Sequence, residues 1–300
     1  MVFLSGLCAF PITPTGNDGR VDTVALRQLI KRLCAANVDS IGLLGSTGTY
    51  MYLSRQQRRQ ALSEALDEAG GGIPVIVGVG ALRTDEAIKL ARDAKAIGAA
   101  AGLLAAVSYA PLTDDEVFEH FSSVAYRSGL PIVIYDNPGT THFRFTPALV
   151  GRLAELPGIV AIKNPTDGSD AIRGHLAHQR QIVPNEFSIG YSGDWNAAQA
   201  MIAGADTWYS VLGGILPDAC MRIVRAAQQG DHAESRRIGA ALVPLWELFK
   251  SYSSLRVVYE LAELLEICHA KPPLPIMPLP VAARHQVADV LARLRAADVL

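Results

Sequence analysis

The sequence predicts an α/β fold, a closed (β/α)8 barrel with a C-terminal appendage of three helices. Three observations carry this expectation. Short apolar runs alternate with amphipathic helical stretches eight times within the first ~230 residues, about the span of such a barrel. The runs are mostly apolar throughout, as expected of parallel strands buried on both faces. After Gly230 the alternation stops and only helical periodicity remains.

Strands are expected over 4–10, 40–44, 74–79, 100–107, 131–135, 159–163, 187–191 and 207–211. Helix starts fall between them. Ser54 with Gln57, and Thr113 with Glu116, have the spacing of capping boxes. Thr146 places a capping hydroxyl before Pro147, a residue suited to the first helical position. Thr84-Asp85-Glu86 loads a first turn with carboxylates, which the helix dipole favours. A doubly wound open sheet is the alternative. It calls for a glycine-rich phosphate turn after the first strand, where this chain has Phe10-Pro-Ile-Thr-Pro14. The barrel is assigned to 1–230 and a helical domain to 231–300. Helices are expected there over 231–251, 255–268 and 281–297, with the proline-rich 271–280 as a stiff connector.

Composition narrows the function classes. Hydrophobic residues make up 50% of the chain and charged residues 19%, which suits a large buried core. With a net charge of −2 and no basic stripe, neither nucleic acid nor membrane is an expected partner. The first ten residues lack a basic n-region and run into Pro11, so they read as a strand, not a signal peptide. No apolar run reaches the ~18 residues of a membrane span. Cys8, Cys34, Cys220 and Cys268 form no CxxC pair and sit among apolar residues. They read as free buried thiols of a reducing, cytoplasmic compartment.

In a barrel of this kind reactive groups stand at the C-terminal ends of the strands. Three ends are unusual. Of the six lysines, Lys163 is the one that ends an apolar strand, Ile159-Val-Ala-Ile-Lys163. Burial disfavours an ammonium and frees an amine to attack a carbonyl. A lysine paired with a buried carboxylate is the other reading, and position alone leaves both open. One strand earlier, Tyr135 ends Ile132-Val-Ile-Tyr135. It either relays protons to a carbinolamine oxygen or fills the barrel mouth. After the second strand, Gly42-Leu-Leu-Gly-Ser-Thr-Gly-Thr49 offers close backbone approach, the hydroxyls of Ser46 and Thr47, and an anion nest. It lacks the lysine of a phosphate loop, so it suits a small carboxylate better than a nucleotide. Together the three make a nucleophile, a proton relay and a carboxylate clamp.

The seven histidines form neither HxH nor HExxH. His175 and His178 read as an exposed helix face, so no metal site is expected. Asp114-Asp115-Glu116 reads as a charged helix start, and Trp195 and Trp208 as pocket-lining or packing residues.

These residues together resemble the dihydrodipicolinate synthase / N-acetylneuraminate lyase family of class I aldolases. The resemblance runs from Ala9-Phe-Pro-Ile-Thr-Pro14 through Gly45-Ser-Thr-Gly48, Tyr135-Asp-Asn-Pro138, Ile162-Lys163 and Ser192-Gly-Asp194 to Leu274-Pro-Ile-Met-Pro278. It implies a (β/α)8 TIM barrel with three C-terminal helices, and a homotetramer built as a dimer of dimers. It implies a Schiff base at Lys163 and proton relay by Tyr135. Ser46 and Thr47 would hold the pyruvate carboxylate, with Ser46 also in the relay. Tyr109 would be lent across the tight dimer interface. Gly193 and Tyr209 would line the pyruvate pocket, Tyr209 mainly through its backbone.

The chain departs from the family pattern at Thr49, where a glutamate is usual. It departs again at Thr140, where the synthases carry an arginine for the carboxylate of aspartate semialdehyde. A 2-keto-3-deoxy sugar acid is therefore the first expected substrate, because hydroxyl-rich Gly139-Thr-Thr141 suits a polyol. Dihydrodipicolinate synthase or N-acetylneuraminate lyase activity is the alternative. A non-catalytic 2-oxo-acid-binding regulator and a metal-dependent aldolase are the rivals from other classes. No cofactor is expected beyond the lysine imine.

Overall fold

The computed structural model describes residues 4–16, 18–166 and 168–300. Eight parallel strands close on themselves in chain order: β1 (Gly6–Ala9), β2 (Ser40–Leu43), β3 (Val75–Gly78), β4 (Ala101–Ala105), β5 (Ile132–Tyr135), β6 (Ile159–Asn164), β7 (Ser188–Tyr191) and β8 (Thr207–Ser210). β8 pairs with β1, so the sheet has no free edge. Every expected strand is present, within two residues at each end.

The helices around the barrel are α1 (Thr23–Ala35), α2 (Arg55–Ala69), α3 (Thr84–Ile97), α4 (Asp114–Ser128), the single turn α5 (Pro138–Thr141), α6 (Pro147–Ala154), α7 (Ser169–Ile182), α8 (Ala197–Ile202) and α9 (Pro217–Gln228). Their starts follow the sequence signals. Both capping boxes form, and the Thr146 hydroxyl accepts from the Leu149 N–H at 3.2 Å. The carboxylates of Asp85 and Glu86 lie in the first turn of α3, and those of 114–116 in the first turn of α4.

Side chains alternate across the strands, giving two apolar layers. Leu7, Ile132, Ile134 and Ile162 join the layer between strands and helices. Cys8, Leu103, Val133, Tyr135 and Ala161 fill the barrel interior. β6 breaks the alternation once. Ile132 pairs with Ile159 but Val133 pairs with Ala161, which leaves Val160 as an extra residue. Val160 packs against the interior layer, as Ala161 does. This bulge resets the phase, so Tyr135 stands opposite Lys163 in register.

Beyond the barrel lie α10 (His232–Ala241), α11 (Val243–Tyr252), α12 (Ser254–Leu264) and α13 (Val281–Ala296). The first expected C-terminal stretch, 231–251, divides at Leu242 into two helices. Pro244, in the first turn of α11, has no N–H to continue the ladder, and its ring excludes the carbonyl four residues back. α12 reaches the loop after β1 through the Tyr259 hydroxyl, which donates to the Thr13 carbonyl at 3.5 Å. All four cysteines are free, with Cys34 half-buried and the others buried. Among the described residues no helix is long and apolar enough to cross a membrane.

One ion cluster fastens α2 to α3. The Arg55 guanidinium donates to both oxygens of Asp93, at 2.6 and 2.9 Å, and Arg59 lies 2.6 Å from the same carboxylate. Hydrogen bonding to Arg55 holds the Asp93 carboxyl below its ordinary value. A carboxyl lowered by folding contributes stability that is fully present above its unfolded pKa of about 4 and is lost as pH falls through the folded value. Asp93→Asn is therefore expected to cost about 1 kcal/mol at pH 7, since both arginines are half exposed. Thermal melts should show that gap closing toward pH 2. A gap that persists unchanged there would refute the assignment.

Candidate active site

The site is built at the C-terminal mouth of the barrel, where β5 and β6 deliver Tyr135 and Lys163 into one cavity of about 480 Å³. Lys163 is buried, at 6% exposure. Its amine lies 4.1 Å from the Tyr135 ring centroid and 5.9 Å from that of Phe10. Among the described residues no carboxylate pairs with it. An amine bedded on two ring faces and open to a cavity is available to a carbonyl carbon.

The Tyr135 hydroxyl stands 3.1 Å from the Ser46 hydroxyl. The loop that carries Ser46 is held in an unusual shape. Leu44 and Thr49 both adopt positive φ, and a Cβ at Gly48 would lie 2.8 Å from the Leu44 backbone. Gly42 and Gly45 lie against the Phe10 ring, where a Cβ would approach within 2.2 and 2.7 Å. The glycines thus let Phe10 floor the loop while Ser46 and Thr47 face the cavity.

Gly193 lines the cavity opposite, at φ +86°, and a Cβ there would meet the Thr166 hydroxyl at 2.3 Å. The turn it opens is pinned by buried Asp194. That carboxylate accepts from the Trp208 indole at 2.9 Å, the Leu212 N–H at 2.8 Å and the Val211 N–H at 3.3 Å. Burial pushes the Asp194 carboxyl up, against the hydrogen bonds that hold it down. Trp208 therefore packs, whereas Trp195 lines the cavity.

Other expected residues are distributed unevenly. Thr140 lines the cavity, and its hydroxyl accepts from Asn137 at 3.0 Å. Tyr209 is not among the lining residues. Its ring lies inside the barrel against Phe10, at 6.2 Å between centroids, in space that Gly190 leaves free. Val211, two residues further along, takes the rim position instead. Tyr109 also stands outside the cavity and is fully exposed on this chain. His175 and His178 lie on the exposed face of α7, and the His175 ring bonds the Tyr191 hydroxyl at 2.7 Å.

Three contributions went unread in the sequence. Asn137 donates to the Tyr135 hydroxyl at 2.9 Å, and its place two residues after Tyr135 was the available signal. Phe249, Ser253, Ser254, Leu255 and Ile276 bring the C-terminal segment onto the cavity wall. Nothing in their local pattern announces that. Tyr50 also lines the cavity, and burial together with neighbouring Tyr135 pushes its phenol up to about 12, so it stays neutral.

Comparison with known proteins agrees with this geometry. Residues 3–294 match the profile described as the dihydrodipicolinate synthetase family. A 4-hydroxy-tetrahydrodipicolinate synthase of Methylibium petroleiphilum is 34% identical over 285 residues, covering 93% of this chain and 94% of that one. The synthase of Methylococcus capsulatus is 34% identical over 253 residues, 84% of this chain and 86% of its own. Among solved structures, dihydrodipicolinate synthase from Agrobacterium tumefaciens superposes with a TM-score of 0.94 at 50% identity, covering 97% of this chain and 98% of its own.

Proposed function

This chain belongs to the dihydrodipicolinate synthetase family, and from that premise we propose that it is a Schiff-base lyase whose first substrate is pyruvate or a longer 2-oxo acid. The observation that carries the reading is the Lys163 amine, unpaired with any carboxylate among the described residues and lying over the Tyr135 ring in a cavity edged by Ser46 and Thr47.

The amine adds to the ketone carbon and forms a carbinolamine. Tyr135 passes a proton to its oxygen, which leaves as water, and the nitrogen lone pair closes the iminium. Loss of a proton from the neighbouring carbon gives an enamine, the nucleophile for condensation with an aldehyde. Hydrolysis returns the lysine. Cleavage runs the same steps in reverse. The iminium is itself the electron sink, so the proposed chemistry needs no metal or organic cofactor.

For the second substrate, the names of the relatives favour the 4-hydroxy-tetrahydrodipicolinate synthase reaction, with aspartate semialdehyde as the aldehyde. That displaces the keto-deoxy sugar acid from first place. One observation keeps the sugar acid as a second reading. Lys163 is the only cationic side chain lining the cavity among the described residues, and Thr140 stands where an arginine would grip the second carboxylate.

We also propose a homotetramer in which fully exposed Tyr109 is covered by a neighbouring subunit and completes the relay. A cytoplasmic location suits four free cysteines.

Three measurements test these readings. Borohydride reduction with pyruvate should give one adduct by intact mass, mapped to Lys163. Lys163→Ala should abolish it, and Tyr135→Phe should cut kcat by roughly 10²- to 10⁴-fold. An adduct on another lysine would sink the assignment. Aspartate semialdehyde and a panel of keto-deoxy sugar acids should then be compared by kcat/KM. The synthase reading requires turnover of the former, and Thr140→Arg should improve it. Sedimentation velocity should return the mass of four chains, and a concentration-independent monomer would count against the assembly.

A further inference from the structure

Asn137 occupies the position just before α5, where an asparagine side chain ordinarily accepts from the exposed N–H groups of the first turn. Here it makes no such bond. Its amide nitrogen turns back to the Tyr135 hydroxyl at 2.9 Å and reaches the Thr140 hydroxyl at 3.0 Å. It thereby links the phenol beside Lys163 to the hydroxyl where the second substrate is expected, and it lines the same cavity. A side chain that forgoes its local bond for two at a catalytic mouth marks a site where function overrides local preference.

The direction of these bonds has a chemical consequence. An amide NH2 has two protons and donates only, whereas a hydroxyl has one proton and can accept at its oxygen. With Asn137 donating to both, neither hydroxyl uses its proton on Asn137. The Tyr135 proton is left for Ser46 or for the carbinolamine oxygen. The Thr140 proton is left for an oxygen of the incoming carbonyl compound. When Tyr135 gives up its proton, the amide remains as a donor to the oxygen that gains charge.

Resting on the Schiff-base reading above, we infer that Asn137 is a positioning residue that sets the polarity of the relay. Its amide donates to Tyr135 and Thr140 together, so that both hydroxyls present their protons to oxygen acceptors of the two substrates.

Asn137→Asp tests this, because it keeps the size of the side chain and can still bridge the two hydroxyls, but only by accepting from both. Rapid quench of the protein with pyruvate and borohydride, followed by intact mass, reads the rate of imine formation. At neutral pH that rate and kcat should fall roughly 10- to 100-fold. The fraction trapped at long times should stay that of the wild type, with KM for pyruvate within about twofold. The deficit should narrow as pH falls, because the introduced carboxyl takes up a proton and regains one donor.

A bridge that merely spaces the loop works equally well in either direction. Wild-type rates in Asn137→Asp at every pH would therefore overturn the inference while leaving the Schiff base standing. A wild-type protein that traps no 2-oxo acid would overturn both. If circular dichroism shows Asn137→Asp unfolded, Asn137→Leu replaces it, similar in size and without a donor. It must show the same slow trapping with an unchanged final fraction, and a wild-type rate there overturns the inference equally.

Discussion

Tyr135 and Lys163 stand opposite each other in register on adjacent parallel strands, and the bulge at Val160 is what puts them there. Along a strand the side chains change face at every residue, so a one-residue error would turn Lys163 out toward the helices. Without the extra residue in β6, Val133 would pair with Val160 and Tyr135 with Ile162, a residue that packs between strands and helices. Closure of the sheet makes this register hard to slip, because β6 is bonded on its other side to β7, where Lys163 pairs with Gly190. Gly190 carries no side chain to compete for the interior, and Tyr209 fills the space. Amine and phenol are thus placed by main-chain pairing, not by a flexible loop.

That placement explains which parts of the molecule were legible in the sequence. The strands were legible because parallel strands covered on both faces are continuous apolar runs, and Lys163 was conspicuous as the polar end of one. The same continuity hid the bulge. Ile159, Val160, Ala161 and Ile162 are all apolar, and no pattern says that two consecutive residues face inward. Pro244 was visible, but the helical period of 231–251 runs across it, and the break was missed. Tyr209 is expected to line the pocket mainly through its backbone, and the place of its ring depends on neighbours such as Gly190. Asn137 before Pro138 reads as a turn, since asparagine and proline both favour turns. Its role depends on the direction of one amide, which only the fold supplies. The wall formed by Ser253 and Ile276 comes from residues far along the chain, beyond any local signal.

The site divides accordingly into a part set by strands and a part set by loops. Lys163 and Tyr135 are strand residues, and the matching relatives share the whole barrel, so their common name bears most directly on chemistry at the lysine. Ser46, Thr47, Asn137 and Thr140 come from strand-to-helix connections, and Ser253 from the turn between α11 and α12. Such segments vary without disturbing the barrel. Ser253 itself holds φ +73°, an uncommon conformation for a residue with a side chain, which fits a turn shaped by what it lines.

Charge accounting sharpens the question of the second substrate. Under the proposed chemistry the 2-oxo acid brings one carboxylate, and the iminium on Lys163 supplies one positive charge beside it. A second carboxylate then has no cationic partner on the described walls. An unpaired carboxylate kept from water is costly, so it must either reach solvent at the mouth or be held by several donors at once. Thr140 can supply a hydroxyl donor, though not the paired, charged fork of an arginine, and the Thr141 hydroxyl is already donated to the Asn137 carbonyl at 3.1 Å. A polyol places no such demand, because each hydroxyl is satisfied by neutral partners. Aspartate semialdehyde can still be a substrate here, but only if its carboxylate lies where water or main-chain N–H groups meet it. The relatives' shared name and the lack of a second cation on the described walls therefore disagree about one charge, and that charge belongs to the loops, not to the strands that carry Lys163.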